Sequence, residues 1–224
     1  MPSVFVTGAS RGLGLEFVRQ YAAAGWNVTA ACRDPSQVPV LADLGVETVP
    51  LDLADNRSIQ RAAQTLAGRS FDLLLNNAGV YGEGQQFGHL SEREWERVMH
   101  VNAIAPLKMA EAFLPHVLAG QRKLMVFLTS RMGSIADNSS GGSYIYRSSK
   151  AALNAAVKSL SIDLAPRGVT TLLLHPGWVK TDMGGPNASL TPADSIDGMR
   201  RLIDAVEAGQ PLKFLDYTGQ DLPW

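Results

Sequence analysis

The sequence predicts an α/β protein built on a doubly wound, Rossmann-type parallel sheet of seven strands with helices on both faces. Short apolar runs alternate along the chain with longer amphipathic stretches. Most of the apolar runs lack an alternation of polar and apolar residues, which is typical of strands buried on both faces. Segments rich in glycine, asparagine or hydroxyl side chains follow these runs, at the strand ends where open α/β sheets bind ligands. We therefore predict one domain that spans residues 1–224.

The predicted strands are brief and rich in valine, leucine, phenylalanine and threonine. They are SVFVT (3–7), NVTAAC (27–32), VETVPL (46–51), FDLLLN (71–76), KLMVFLT (123–129), VTTLLLH (169–175) and, more weakly, LKFLD (212–216). Because helical stretches separate them, we expect the strands to run parallel and to be joined by right-handed crossovers.

The amphipathic stretches predict five helices. They lie at 12–24, 55–66, 91–118, 143–165 and 191–208. Asp55, Ser91 and Thr191 are suited to cap three of them, and Pro192 is suited to a first helical position. Pro106 lies inside the third stretch, so we expect either a kink in that helix or a tertiary contact that compensates for the lost hydrogen bond.

Composition excludes several classes of protein. Hydrophobic residues make up 46% and charged residues 18% of the 224, which is typical of a soluble globular protein. The net charge of −1 gives no indication of binding to nucleic acid or to an anionic membrane. Cys32 is the only cysteine, so an intrachain disulfide is excluded and a reducing compartment is expected. With no signal-peptide pattern and no apolar run near the ~18 residues of a membrane span, we expect a cytoplasmic protein.

A glycine-rich loop, TGASRGLG (7–14), follows the first predicted strand and begins the first helix. Gly8, Gly12 and Gly14 allow a tight turn and a close approach of the backbone to a ligand. The helix N-terminus then offers free N–H groups to a pyrophosphate. A tight turn that needs glycine but binds nothing is the alternative, since the spacing G-x-x-x-G-x-G is a weak signal by itself.

Two arginines indicate which dinucleotide is preferred. Arg33 follows the second predicted strand, and Arg11 lies in the glycine loop. An acidic residue at this strand end holds a ribose hydroxyl, whereas arginine matches a 2′-phosphate. The arginines favour NADP(H) and leave NAD(H) open; in the alternative, Arg33 is solvated and Asp34 takes the hydroxyl. Asp52 is a candidate to accept a hydrogen bond from an exocyclic amine or to cap the following helix, and Asp55 is the stronger candidate for the cap.

A tyrosine and a lysine lie one helical turn apart in YIYRSSK. Tyr146 and Lys150 share a helix face, whereas Tyr144 has no lysine at that offset. A nearby ammonium lowers the pKa of a phenol, so Tyr146 is a candidate acid or base for an alcohol oxygen. The alternative is a surface helix with a solvated lysine. Ser130, at the end of the fifth strand, can hydrogen-bond a carbonyl oxygen, and Ser134 is a rival for this task.

Two more strand ends carry compatible residues. LNNAG (75–79) ends the fourth strand, with Asn76 followed by small residues that leave room for a flat ring. Pro176 and Gly177 turn the chain after the sixth strand, and Thr181 follows where a carboxamide could be held.

Taken together, these segments resemble the short-chain dehydrogenase/reductase family, in particular its carbonyl-reductase-like and C-factor-like branch. The matching segments occur in the family's order and are TGASRGLG, LDL, NNAG, VNAIAP, YRSSK and HPGWVKTDM. The resemblance implies a catalytic tetrad. Asn102 would anchor a proton-relay water, Ser130 would position the carbonyl, Tyr146 would be the acid or base, and Lys150 would also bind the nicotinamide ribose.

The motifs and the resemblance together imply a set of cofactor-binding residues. They are Gly8, Ser10, Arg11, Gly12, Leu13, Gly14, Arg33, Asp52, Leu53, Asn76, Ala78, Gly79, Tyr146, Lys150, Pro176, Gly177, Val179 and Thr181. Asp52 would touch adenine, Asn76 the adenosine side, and Thr181 the nicotinamide. Family members that prefer NAD carry an acidic residue at the position of Cys32, so the resemblance also favours NADP(H). No metal site is predicted.

The chain departs from the family pattern in two places. The polar insert DNSSGGS lengthens the interval from Ser130 to Tyr146, which bears on the choice between Ser130 and Ser134. The segment after Thr181 is short and implies an open pocket. The resemblance also implies a homodimer or homotetramer formed through the helices at 91–118 and 143–165, although a face packed on the sheet would use the same small apolar residues.

The predicted function is an NADPH-dependent oxidoreductase that interconverts a small-molecule carbonyl compound and its alcohol. Hydride would reach the carbonyl carbon while Tyr146 protonates the oxygen. The alternative is an NADP-binding sensor or signalling protein with little turnover.

Overall fold

All seven predicted strands form in the computed structural model, which describes residues 1–224. They are β1 Ser3–Thr7, β2 Asn27–Cys32, β3 Glu47–Pro50, β4 Leu73–Asn76, β5 Leu124–Leu128, β6 Thr170–His175 and β7 Phe214–Asp216. The strands make one parallel sheet in the order β3-β2-β1-β4-β5-β6-β7. This order confirms the doubly wound fold predicted from the sequence.

Seven α-helices connect the strands. They are α1 Gly12–Ala23, α2 Pro39–Asp43, α3 Asn56–Thr65, α4 Glu92–Met99, α5 Ala105–Ala119, α6 Tyr144–Leu164 and α7 Pro192–Asp204. Helix α2 was not predicted. Where the kink was expected, a π-helical turn, His100–Ile104, separates α4 from α5, and Pro106 is the second residue of α5.

The predicted caps begin three of the helices. The Asp55 carboxylate accepts a hydrogen bond from the Arg57 N–H at 2.8 Å, and the Thr191 hydroxyl accepts one from the Asp194 N–H at 3.1 Å. The Ser91 hydroxyl likewise accepts from the Glu94 N–H at 3.3 Å. These side chains replace the missing intrahelical partners of the first turn, as their sequence positions predict.

The sheet is buried on both faces. Twenty-six buried residues, Phe5, Phe113 and Leu153 among them, pack on the face covered by α3, α5 and α6. Twenty-one others, including Val6 and Phe17, pack on the face covered by α1 and α7. Because neighbouring strand residues such as Phe5 and Val6 point to opposite faces, continuous apolar runs satisfy both cores.

The order in which strands are added reverses at the centre of the sheet, and such a reversal leaves a crevice at the carboxyl ends of the strands. β1 pairs with β2 on one side and with β4 on the other, so the ends of β1 and β4 border a topological switch point. Thr7 and Asn76 lie at these ends, and the predicted motifs follow them. None of the helices has the length and apolar character that a membrane span requires.

Candidate active site

The glycine loop is held by close backbone packing. A Cβ atom at Gly14 would lie 2.1 Å from the Gly8 carbonyl oxygen, which no side chain can accommodate. Gly8 and Gly12 adopt positive φ angles of 68° and 53°, in the left-handed region that favours glycine. Because α1 begins at Gly12, its free N–H groups face the loop. Ser10 and Leu13 are half-buried in the same loop.

Asn76 is the strongest indication of a bound ligand at the switch point. Its side chain is 4% exposed, yet neither Nδ2 nor Oδ1 has a hydrogen-bond partner. The next residue, Asn77, by contrast donates from Nδ2 to the Thr7 carbonyl at 2.8 Å. Buried amides are normally hydrogen-bonded, so a ligand that offers both a donor and an acceptor fits here. Ala78 packs against Gly8, where a Cβ would come within 2.9 Å of the Ala78 Cβ.

The basic residues at the adenosine end differ in their surroundings. Arg33 directly follows β2 and is exposed, and no carboxylate pairs with it. Arg11 forms an exposed ion pair with Asp182. The Asp34 carboxylate accepts hydrogen bonds from the N–H and hydroxyl of Ser36, at 3.1 and 2.6 Å. Arg33 is therefore free to take a phosphate, whereas one carboxylate oxygen of Asp34, Oδ1, is already engaged.

The two aspartates after β3 have separate tasks. Asp55 caps α3, so Asp52 does not serve as that cap. The Asp52 carboxylate accepts from the Ala54 N–H at 3.0 Å and is otherwise exposed, while Leu53 beside it is buried. Asp52 thus keeps a carboxylate oxygen that an exocyclic amine could reach.

Tyr146 and Lys150 lie on the buried face of α6, at the carboxyl edge of the sheet. Their exposed fractions are 8% and 4%. Lys150 Nζ donates to the Leu128 carbonyl at 2.9 Å and lies 5.9 Å from the centroid of the Tyr146 ring. A Cβ at Gly79 would lie 3.5 Å from this Nζ, so the chain after β4 passes beside the ammonium. The alternative of a solvated surface lysine is wrong.

Burial, rather than the lysine charge, dominates the pKa of the phenol. Burial raises the pKa of Tyr146 to about 12; the neighbouring Ser130 hydroxyl lowers the pKa, and the Tyr81 phenol raises it further. Burial also lowers the pKa of Lys150 to about 8. The expectation that the Tyr146–Lys150 pair alone lowers the phenol pKa is therefore wrong for this chain, because desolvation disfavours both charged forms.

The two candidate serines have different partners. Ser130 is buried at the end of β5, next to the Tyr146 phenol, and its hydroxyl accepts from the Met132 N–H at 3.1 Å. The Ser134 hydroxyl accepts from the Asp137 N–H at 3.0 Å and donates to the Trp224 carbonyl at 3.4 Å. Ser134 thus fastens the inserted loop to the last residue, while Ser130 stays beside the phenol.

Asn102 is fully buried in the π-helical turn. Its Oδ1 accepts from the Val80 N–H at 2.8 Å, and its Nδ2 donates to the Val80 carbonyl and the Ser149 hydroxyl at 2.8 and 3.0 Å. The turn is thereby tied to the chain after β4 and to α6. One lone pair of Oδ1 is left, and Oδ1 lies beside Gly79, 3.3 Å from the position of its Cβ.

The segment after β6 closes the other side of the crevice. Gly177 adopts a φ of 83°, and a Cβ there would come within 2.9 Å of the Leu190 side chain, so Pro176 and Gly177 make a turn that excludes larger residues. Val179 is buried and bridges to Leu190. Thr181 lies against the glycine loop, 3.4 Å from the Cβ position of Gly12. The structure therefore brings this segment and the loop together.

Three residues that the sequence did not indicate lie against Tyr146. The Tyr81 ring lies 4.8 Å from the Tyr146 ring, centroid to centroid. The Gln85 side chain accepts from the Tyr146 N–H, and the Ser149 hydroxyl donates to the Tyr146 carbonyl, both at 2.8 Å. Ser149 lies within YRSSK and could have been found there; nothing in the sequence distinguishes Tyr81 or Gln85.

Comparisons with known proteins agree with this geometry. Residues 2–190 match the family described as short chain dehydrogenase. The chain is 48% identical to C-signal of Myxococcus xanthus over 153 residues, 68% of this chain and 92% of that protein. It is 34% identical over 231 residues to 1-hydroxy-2-glutathionyl-2-methyl-3-butene dehydrogenase of Rhodococcus sp. (strain AD45), with full coverage of both. The NADPH-bound carbonyl reductase from chicken fatty liver matches with a TM-score of 0.91 and 34% identity, covering 100% of this chain and 99% of that one.

Proposed function

This chain belongs to the short-chain dehydrogenase family of oxidoreductases, and on that premise we propose that it is an NADPH-dependent carbonyl reductase. One observation carries the proposal. A buried phenol, Tyr146, lies beside the Ser130 hydroxyl and the Lys150 ammonium, at the same sheet edge as the unpartnered amide of Asn76. A carbonyl group and a dinucleotide are the ligands that this combination fits best.

The residues at the switch point fit NADP(H). The glycine loop and the N-terminus of α1 would hold the pyrophosphate, Asn76 would satisfy its amide on the adenosine side, and Arg33 would pair with the 2′-phosphate. Lys150 would bind the nicotinamide ribose and Thr181 the carboxamide. Bound NADPH would supply the hydride. The relative from chicken liver, with NADPH bound, supports this choice of cofactor.

In the proposed reaction, Ser130 donates a hydrogen bond to the carbonyl oxygen and Tyr146 gives it a proton. With a pKa of about 12, the phenol of Tyr146 keeps its proton at neutral pH, which is the form that reduction requires. The reverse reaction, alcohol oxidation, uses the same residues but requires the phenolate.

Lys150 and Asn102 would return the proton to Tyr146. With its pKa lowered to about 8, the Lys150 ammonium can give up and regain a proton near neutral pH. Asn102 Oδ1 and Lys150 Nζ both lie beside Gly79, 3.3 and 3.5 Å from the position of its Cβ. We propose a water there as the link to bulk solvent.

The proposal is tested with Tyr146→Phe and, as a matched control, Tyr144→Phe. Removing the Tyr146 hydroxyl should abolish most turnover and leave the Kd for NADPH unchanged, because the ring still packs. Tyr144, two residues earlier and partly exposed, should be dispensable. NADPH absorbance is followed with a panel of aldehydes, ketones and diketones. Full activity of Tyr146→Phe would refute the assigned acid.

The alternative function, an NADP-binding sensor with little turnover, is not favoured. A sensor would not need the Ser130 hydroxyl and the Lys150 ammonium placed beside the Tyr146 phenol, with Asn102 adjacent. Tight NADPH binding without oxidation by any compound of the panel would be the result that supports it.

We also propose that two or four copies assemble through α5 and α6. Ile104, the last residue of the π-helical turn before α5, and Ile162, in the last turn of α6, are 45% and 61% exposed, although both are large and apolar. Light scattering after size-exclusion chromatography measures the mass directly; a monomer at micromolar concentration would contradict this assembly.

A further inference from the structure

One buried side chain of the loop after β4, Gln85, hydrogen-bonds to the first turn of α6. Gln85 is 8% exposed, whereas its neighbour Gln86 is exposed. Gln85 Oε1 accepts a hydrogen bond from the Tyr146 N–H at 2.8 Å, and its Nε2 donates to the carbonyls of Tyr81 and Gly82 at 2.8 and 3.2 Å. The Gln85 amide thus joins two segments that lie 61 residues apart in the sequence.

Helix α6 begins without a cap of its own. Ser143, at the cap position, has a left-handed backbone with a φ of 48°, and its hydroxyl makes no cap hydrogen bond. That hydroxyl is instead hydrogen-bonded to the Tyr81 phenol at 2.7 Å. Tyr146 is the third residue of the helix, so its N–H has no intrahelical partner. The Gln85 oxygen fills the place that a Ser or Asp cap normally takes.

We propose that Gln85 is a positioning residue that fixes the first turn of α6, and with it the side chain of Tyr146. The Gln85 amide holds the backbone of Tyr146 on one side and the carbonyl of Tyr81 on the other. The Tyr81 ring, in turn, packs against the Tyr146 ring at 4.8 Å. The loop thereby fixes the phenol through both its backbone and its ring. Where turnover is the readout, this inference rests on the proposed function.

Loss of the Gln85 amide has two expected consequences. The first turn of α6 loses its cap and loosens, so the phenol moves from its place beside Ser130; a displacement near 1 Å can cost on the order of a hundredfold in rate. Water also gains access to the phenol. Because burial is what raises the pKa of Tyr146 to about 12, that pKa should fall toward the ordinary 10.

The experiment compares Gln85→Met with Gln86→Met in the full chain. Methionine keeps the length and volume of glutamine but cannot hydrogen-bond to Tyr146. We expect kcat to fall about tenfold or more in Gln85→Met, with the Kd for NADPH within about twofold of that of Gln86→Met. Tyrosines labelled with ¹³C at Cζ report ionisation by NMR, and Tyr146→Phe assigns the signal. In a titration up to about pH 10.5, the Tyr146 signal should begin to shift with ionisation in Gln85→Met and stay in place in the wild type and in Gln86→Met.

The two readouts separate the two proposals. An unchanged Tyr146 signal and an unchanged kcat in folded Gln85→Met would overturn the positioning role. If no carbonyl compound is reduced by the wild type, the proposed function fails, but the NMR titration still decides on Gln85. Should Gln85→Met not fold, Gln85→Asn retains an amide on an arm shorter by about 1.5 Å, and the same two outcomes apply to it.

Discussion

Replacing Arg33 with aspartate should change the cofactor preference. Arg33 is exposed at the end of β2 and unpaired, whereas Arg11 already pairs with Asp182. A hydrogen bond between charged partners contributes about 1.5–3 kcal/mol, which is roughly a 10- to 100-fold change in Kd. In Arg33→Asp, the new carboxylate repels a 2′-phosphate and accepts from a ribose hydroxyl. The ratio of NADPH to NADH affinity should therefore fall by at least about 100-fold.

The measurement is a pair of Kd values, for NADPH and NADH, by calorimetric titration at one fixed ionic strength. Arg167→Asp is the matched control, since Arg167 is likewise exposed and unpaired but precedes β6, at the opposite edge of the sheet. It makes the same change in net charge and should leave the ratio unaltered. If Arg33→Asp keeps the wild-type ratio, or if Arg167→Asp shifts it equally, Arg33 does not hold a 2′-phosphate.

The remaining predictions concern the serines and the buried lysine. Ser130→Ala should lower kcat by about 10²–10³-fold because a donor to the developing oxyanion is lost. Ser134→Ala should instead lower Tm by about 2–4 °C because a tether to Trp224 is lost. Steady-state kinetics and thermal melting of both variants test this difference, and equal kinetic losses would contradict the assignment. Because burial lowers the pKa of Lys150 from 10.5 to about 8, the unfolded chain binds more protons between these pH values, and stability should rise with pH across that window. Melting curves should show this rise disappear in Lys150→Met and persist in Lys158→Met, an exposed lysine on the same helix; identical slopes would show that Lys150 is not desolvated.

The strands and most helices could be predicted because their signals are local. Strand ends such as Cys32 agree with the prediction, since a run of apolar residues must be extended to fill both cores. Helix α2 was missed because only five residues, beginning at Pro39, form it, and Leu41 alone anchors it in the core. Such a segment has too few residues to show a period; its packing decides its structure.

The candidate site was predictable only in part. Tyr146 and Lys150 share a helix face by their spacing alone. The choice of Ser130 over Ser134 as neighbour of the phenol depends on the path of the inserted loop, which the C-terminal residue Trp224 holds. The direction in which the Tyr146 pKa moves was also mispredicted, because the spacing of charges does not reveal how much water is excluded.

By itself, the sequence determined the strands of the sheet, the glycine turn and the placement of Tyr146 and Lys150 on one helix face, since each depends on residues within one turn or one strand. Only the tertiary structure decided that Gln85 caps the helix of Tyr146, that the Asn76 amide is left without a hydrogen-bond partner, and that burial dominates the pKa of the Tyr146 phenol. Hydrogen-bond partners and desolvation depend on segments distant in the chain, and these meet only when the fold is complete.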